Sequence, residues 1–177
     1  VSDLGHFRIM APYNAWMNTK VYDAAERLTS EKLARDREAF FCSILGTLNH
    51  IAEADLTWLG RLAQHPTFLG RLDLADLPRP DNVESIVSGD IARLRLIRER
   101  IDRLIVSVVD NLTESDVGGV LEYRRANGTR YRKPLTAVLS HLFNHQTHHR
   151  GQATTLLTQA GIDVGVTDLL ALLPEVE

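Results

Sequence analysis

Apolar residues recur every three or four positions in four long segments, and that spacing predicts four amphipathic α-helices. From about Met10 to Leu28 the stripe is Tyr13, Trp16, Met17, Val21, Ala24 and Leu28, with Pro12 tolerated in the first turn. From Ile44 to about Ala63 it is Ile44, Leu45, Leu48, Ile51, Ala52, Leu59 and Leu62, with Ser43 as the N-cap. Asp81-Asn82-Val83-Glu84 has capping-box spacing with Asp in place of Ser or Thr, and it predicts the start of a third helix. That helix runs to about Val109 and turns Ile91, Leu94, Ile97, Ile101, Leu104, Ile105 and Val108 inward. A fourth spans about Leu135 to Thr158, with Pro134 in its first turn and a stop at Gly161.

Between these segments the pattern breaks. Thr29-Ser30-Glu31-Lys32 reads as a turn, followed by a short helical or irregular piece up to Phe40-Phe41. Pro66, Gly70, Pro78 and Pro80 make His65 to Asn82 a long connection of the kind that often covers a site. Asn127-Gly128 lies between two β-prone runs, Val120–Arg125 and Arg130–Lys133, and predicts a hairpin. A last short helix is expected from Thr167 to Leu173. The expected fold is therefore all-α: a four-helix bundle with a long crossover connection and a small β-hairpin excursion before the last long helix. With 177 residues, the chain is expected to form a single domain, 1–177.

Composition narrows the function classes. A net charge of −3 leaves no electrostatic footprint for nucleic acid or for an anionic membrane surface. Arg93, Arg95, Arg98, Arg100 and Arg103 alternate with acids on the third helix and read as a solvated surface. The single cysteine, Cys42, excludes an intrachain disulfide and a cysteine zinc cage, and is read as a small buried hydrophobe. Val1 to His6 lacks a basic segment followed by an apolar run, and nowhere do about eighteen apolar residues follow one another. The expectation is a cytoplasmic protein without a membrane or nucleic-acid partner.

Two features call for chemistry. Asp55 falls in the middle of the second helix's apolar stripe, where a carboxylate is costly unless paired. It must have a partner: an arginine, or the second ring nitrogen of a metal-bound histidine. The other feature is the run His141 to Gln152, which holds four of the seven histidines. At about 100° per residue, His149 lies roughly 30° and His145 roughly 70° from the apolar centre of the fourth helix, against roughly 110° for His141 and 130° for His148. His145 and His149 are thus the inward pair, four apart on one face, able to reach a single cation. His141 and His148 belong to the rim, near enough to support the pair. Metalloprotease chemistry is a poor fit, because HExxH needs a glutamate where this chain has Gln146. His50 lies on a flank of the second helix, and periodicity does not single it out.

The run Asn144-His145-Gln146-Thr147-His148-His149-Arg150-Gly151-Gln152, with Tyr13-Asn14-Ala15-Trp16 and Ser43-Ile44-Leu45-Gly46-Thr47-Leu48-Asn49-His50-Ile51, resembles the DinB family of metalloenzyme-like proteins. The likeness covers nearly the whole chain and is most specific in NHxxHHRGQ. It implies a four-helix bundle whose metal is held by three histidines, carried onto His50, His145 and His149. It further implies one divalent transition metal, zinc or nickel, and a homodimer. Proteins similar to this family include thiol-dependent transferases and a mycothiol-dependent isomerase, so a low-molecular-weight thiol is an expected cofactor and a small-molecule thiol or electrophile the expected substrate.

Three protein ligands leave coordination positions open, as catalytic rather than structural sites do. The leading expectation is a metal-dependent enzyme that activates a thiol or water, S-transferase-like or hydrolase-like. The alternative is a non-catalytic metal-binding stress-response protein or interaction module. The basic hairpin residues Arg124, Arg125 and Arg130, with Arg132 and Lys133, would attract an anionic thiol cofactor if the hairpin lies at the mouth of the bundle. Arg150 is expected to pair with a carboxylate and Gly151 to permit close helix contact.

Overall fold

The structure, a computed structural model, describes residues 3–80, 82, 85–125 and 127–175. It is mostly helical. The four long helices are α1 (Asp3–Ala25), α3 (Ile44–Leu62), α4 (Ile91–Asn111) and α6 (Leu135–Gln159); α2 (Ser30–Ala34) and α5 (Glu114–Val117) are short. A hairpin of β1 (Val120–Arg124) and β2 (Arg130–Pro134) precedes α6. Each long helix packs chiefly on two others, in the ring α1–α4–α3–α6, and the apolar core fills the middle.

Helix α1 begins a full two turns before the expected Met10. Leu4, Phe7 and Ala11 extend its buried stripe upstream, so Pro12 lies inside the helix instead of in its first turn. Proline there removes one backbone donor and leaves the carbonyl of Arg8 without its usual partner; both residues are exposed, so water can take its place. Ser43 caps α3 as expected, its hydroxyl accepting from the Gly46 amide at 3.0 Å. Helix α4 starts at Ile91, later than expected, because the side chain of Asp90 accepts from the Arg93 amide at 2.7 Å and residues 85–90 are not helical. Of the expected capping box, Asp81, Val83 and Glu84 lie outside the described residues.

The hairpin pairs Tyr123 with Tyr131 and Val120 with Pro134, and Gly128 supplies the positive φ of 81° that its turn requires. Leu135, the first residue of α6, is fully buried, and its amide bonds to the Gly119 carbonyl at 3.0 Å, which ties the base of the hairpin to the start of α6. The tail forms only a 3-10 turn, Leu169–Leu172. No helix among the described residues is long and apolar enough to cross a membrane.

One arginine does not behave as its charge predicts. Arg98 is 2% exposed, not solvated, and forms ion pairs with Asp55 on α3 and Asp102 on its own helix. Positions 94, 98, 101 and 105 share one face, so Arg98 sits in register with Leu94, Ile101 and Ile105. Asn18 donates to Asp102 at 2.9 Å, Gln146 donates to Asp55, and Arg150 donates to Asn14 and, at 3.0 Å, to Gln146. A connected polar network thus crosses the bundle core and joins all four long helices.

Candidate metal centre

Helix α3 presents His50 toward α6, and α6 presents His145 and His149 one turn apart on the face it turns to α3. The Nε2 atoms of His50 and His145 are 3.2 Å apart, and one ligand atom from each of the three histidines lies within 4.8 Å of the others. The ring centroids of His145 and His149 are 4.3 Å apart, and those of His50 and His149 4.6 Å. All three side chains are partly buried.

The protonation state suits ligation. Burial, followed by the neighbouring imidazoles His149, His50, His141 and His148, holds His145 down at about 3, so its ring is neutral near pH 7. Burial also lowers His149. The Nδ1 of His149 lies 2.8 Å from the Gln152 side-chain oxygen, an acceptor that fixes the proton on Nδ1 and leaves Nε2 with a free lone pair. The Nδ1 of His145 is buried with no hydrogen-bond partner among the described residues.

These residues fit a metal ion. Two imidazole nitrogens about 2.0–2.1 Å from one tetrahedral ion stand about 3.3–3.4 Å apart, close to the His50–His145 separation. Without an ion, two neutral Nε2 lone pairs facing one another would repel, and a proton shared by the two rings would satisfy only that pair. The third imidazole favours a cation.

The surroundings hold the rings in place. Phe41 stacks on His50, with centroids 3.9 Å apart and planes at 18°, and meets His149 edge-on at 5.4 Å. Phe41 reaches this position because its backbone carbonyl packs against Gly46, where any Cβ would stand 2.1 Å from that oxygen. At the Nδ1 edge of His50, Glu53 is 2% exposed and places Oε2 4.0 Å from that nitrogen. Thr57 donates to its Oε1 at 2.9 Å, and burial raises its carboxyl. Periodicity did not reveal Phe41 or Glu53, although a glutamate one turn after a histidine, between Ala52 and Ala54, was a readable sign.

The remaining candidates are placed as follows. Asp55 contacts Arg98 and Gln146 and no histidine. Burial pushes its carboxyl up to about 6, against the pull of Arg98. His141 is exposed, with Trp58 edge-on at 5.2 Å and His145 at 5.7 Å. His148 is also exposed and adjoins His149 at 4.7 Å. Arg124 and Arg125 line a cavity of about 760 Å³ between the hairpin, the end of α3 and residues 74–80; Arg130 is exposed on β2 and not among its lining residues. Arg150 is buried among amides, which pushes it down to about 10, and a Cβ at Gly151 would meet nothing within 4 Å, so Gly151 serves no close contact. Cys42 is exposed, not buried: its amide bonds to the Ala39 carbonyl at 2.7 Å in a tight turn, where it has a positive φ of 61°.

The comparisons with known proteins agree with this architecture. The model of the DinB family matches residues 5–175. Protein DinB of Bacillus subtilis (strain 168) is 27% identical over 157 residues, covering 88% of this chain and 87% of that protein. The crystal structure of a DinB-like protein from Bacillus cereus ATCC 10987 superposes with a TM-score of 0.55 at 21% identity, covering 85% of this chain and 89% of that one. The second likeness is one of fold.

Proposed function

The chain belongs to the DinB family, and from that premise we propose that it is a metal-dependent enzyme whose His50, His145 and His149 hold one divalent transition-metal ion, zinc or nickel. The observation that carries this reading is the 3.2 Å approach of two Nε2 atoms with a third imidazole beside them. A bound ion would supply Lewis-acid activation of a thiol or of water, in S-transferase-like or hydrolase-like chemistry.

The protein's own groups have separate tasks. The three imidazoles bind through neutral nitrogens, and Gln152 keeps the His149 proton on Nδ1. Glu53 faces the Nδ1 of His50 and orients its ring, while Phe41 covers the rings and excludes water from one side. Asp55 acts at one remove: its bond from Gln146 fixes the turn of α6 that carries His145. His141 and His148 line the rim, where a substrate enters. Arg124, Arg125 and Arg130 add positive charge on the hairpin side for an anionic substrate. We also propose that the chain folds as a single domain, works as a homodimer, and is cytoplasmic.

The test is a metal-reconstituted assay against a panel of thiols and electrophiles. Zinc- or nickel-dependent turnover that disappears in His145→Ala supports the enzyme reading. Metal uptake without turnover would assign the chain to metal binding alone.

A further inference from the structure

The cavity beside the hairpin gathers four arginines against one carboxylate. Arg61, Arg79, Arg124 and Arg125 all line it, and none forms an ion pair with a carboxylate among the described residues. Arg125 is close enough to Arg61 to lower its pKa, second to burial among the effects that do so. Glu53 is the carboxylate in the wall; Thr57 donates to it, and its charge and that of Arg61 favour one another.

Two of the four guanidiniums are held in place by aromatic rings. The Arg61 guanidinium lies 4.3 Å from the Trp58 ring centroid and 5.0 Å from that of Tyr123. Tyr123 stacks on Tyr131 at 5.5 Å with planes 14° apart, and Arg125 covers Tyr131 at 4.4 Å. A cation–π contact takes up none of a guanidinium's N–H donors, which can receive carboxylate or phosphate oxygens in pairs. The Arg61 side chain donates no hydrogen bond among the described residues, although it is partly buried. Arg79, Arg124 and Arg125 are exposed and Arg61 is half-buried, so the four guanidiniums set up a positive field over the open cavity that an anion would neutralise.

We infer that this cavity is a binding site for a small organic polyanion carrying two or more carboxylate or phosphate groups, with Arg61 and Arg125, held by the aromatic rings, as its principal contacts and Arg79 and Arg124 as further ones. A volume of about 760 Å³ suits a small molecule and not a macromolecule. No histidine lines the cavity, which adjoins the three-histidine cluster through Glu53, a lining residue 4.0 Å from the His50 Nδ1. The inference therefore does not rest on the metal reading.

Isothermal titration of the full chain at low salt tests it, with propane-1,2,3-tricarboxylate in one arm and fructose 1,6-bisphosphate in the other. At least one should bind saturably, and the tighter of the two identifies the anionic group preferred. Arg61→Gln should weaken that binding at least tenfold. Arg79→Gln, at an exposed position where folding is not at stake, should weaken it about threefold to tenfold. His145→Ala should bind within twofold of the wild type. Absence of saturable binding in both arms, wild-type affinity in both arginine variants, or loss of binding in His145→Ala would each overturn the assignment.

Discussion

His50 on α3 and His145 on α6 face each other through Nε2 atoms 3.2 Å apart, although 95 positions separate them in the chain. The bundle brings them together because α3 and α6 are neighbours in the core, and because the flank of α3 that carries His50, beside the buried stripe of Leu48 and Ile51, lies against α6. Several consequences of this placement are open to measurement.

Gly46 sets the position of Phe41, and Phe41 sets the plane of His50. Gly46→Ala introduces a Cβ into the Phe41 carbonyl, so the preceding turn must move. A loss of about 1–3 kcal/mol in urea unfolding is expected, as for other overpacked sites, with metal affinity falling alongside. Unchanged stability with unchanged affinity would show that the turn yields freely.

Glu53 should matter to metal and little to folding. Removing a carboxylate that orients a ligating histidine costs about tenfold to a hundredfold in metal affinity in comparable sites. Glu53→Gln keeps the shape and the bond to Thr57, so the lower part of that range is expected by competition titration with a chromophoric chelator.

The buried network should behave in the opposite way. Arg98→Met leaves the Asp55 carboxylate in the core without its cation, and breaking a buried pair in this manner costs about 3–5 kcal/mol. Chemical denaturation measures that loss. Replacing Asp55 and Arg98 together by apolar residues should recover part of it.

The histidines also give the metal-free protein a defined pH dependence. His145 titrates at about 3 in the folded chain and near 6.5 in the unfolded one. Between those values the unfolded chain binds more protons, so folding stability falls as pH drops from about 6.5 toward 3 and is insensitive to this group above that window. Thermal unfolding across pH 8 to 4 should show the slope, and His145→Phe should reduce it. An NMR titration in which His145 protonates near pH 6 would contradict it.

Much of this was legible before the fold was known. Ser43, the hairpin at Asn127-Gly128 and the helix after Pro134 follow local rules of capping, turn chemistry and period, and they fall where those rules put them. The inward direction of His145 and His149 followed from angle alone. What stayed hidden depends on contacts between distant segments. Arg98 looked like one more surface arginine, because its charge masks a core register that only Asp55 and Asp102 make tolerable. His50 lies on a flank of α3 and becomes meaningful only when α6 is laid beside it, and Phe41 only through its packing against Gly46. The helix boundaries at Asp3 and Ile91 differ from the expected ones because α1 continues through Pro12, and because Asp90 caps α4 later than the capping-box spacing at Asp81 to Glu84 predicts.

Elemental analysis of the purified protein tests the central claim most directly. About one zinc or nickel ion per chain is expected in the wild type, falling below a tenth in His50→Ala, His145→Ala and His149→Ala, with folding retained by circular dichroism. Metal content unchanged in the three variants, or a wild-type protein that takes up no divalent transition metal on reconstitution, would contradict the three-histidine centre.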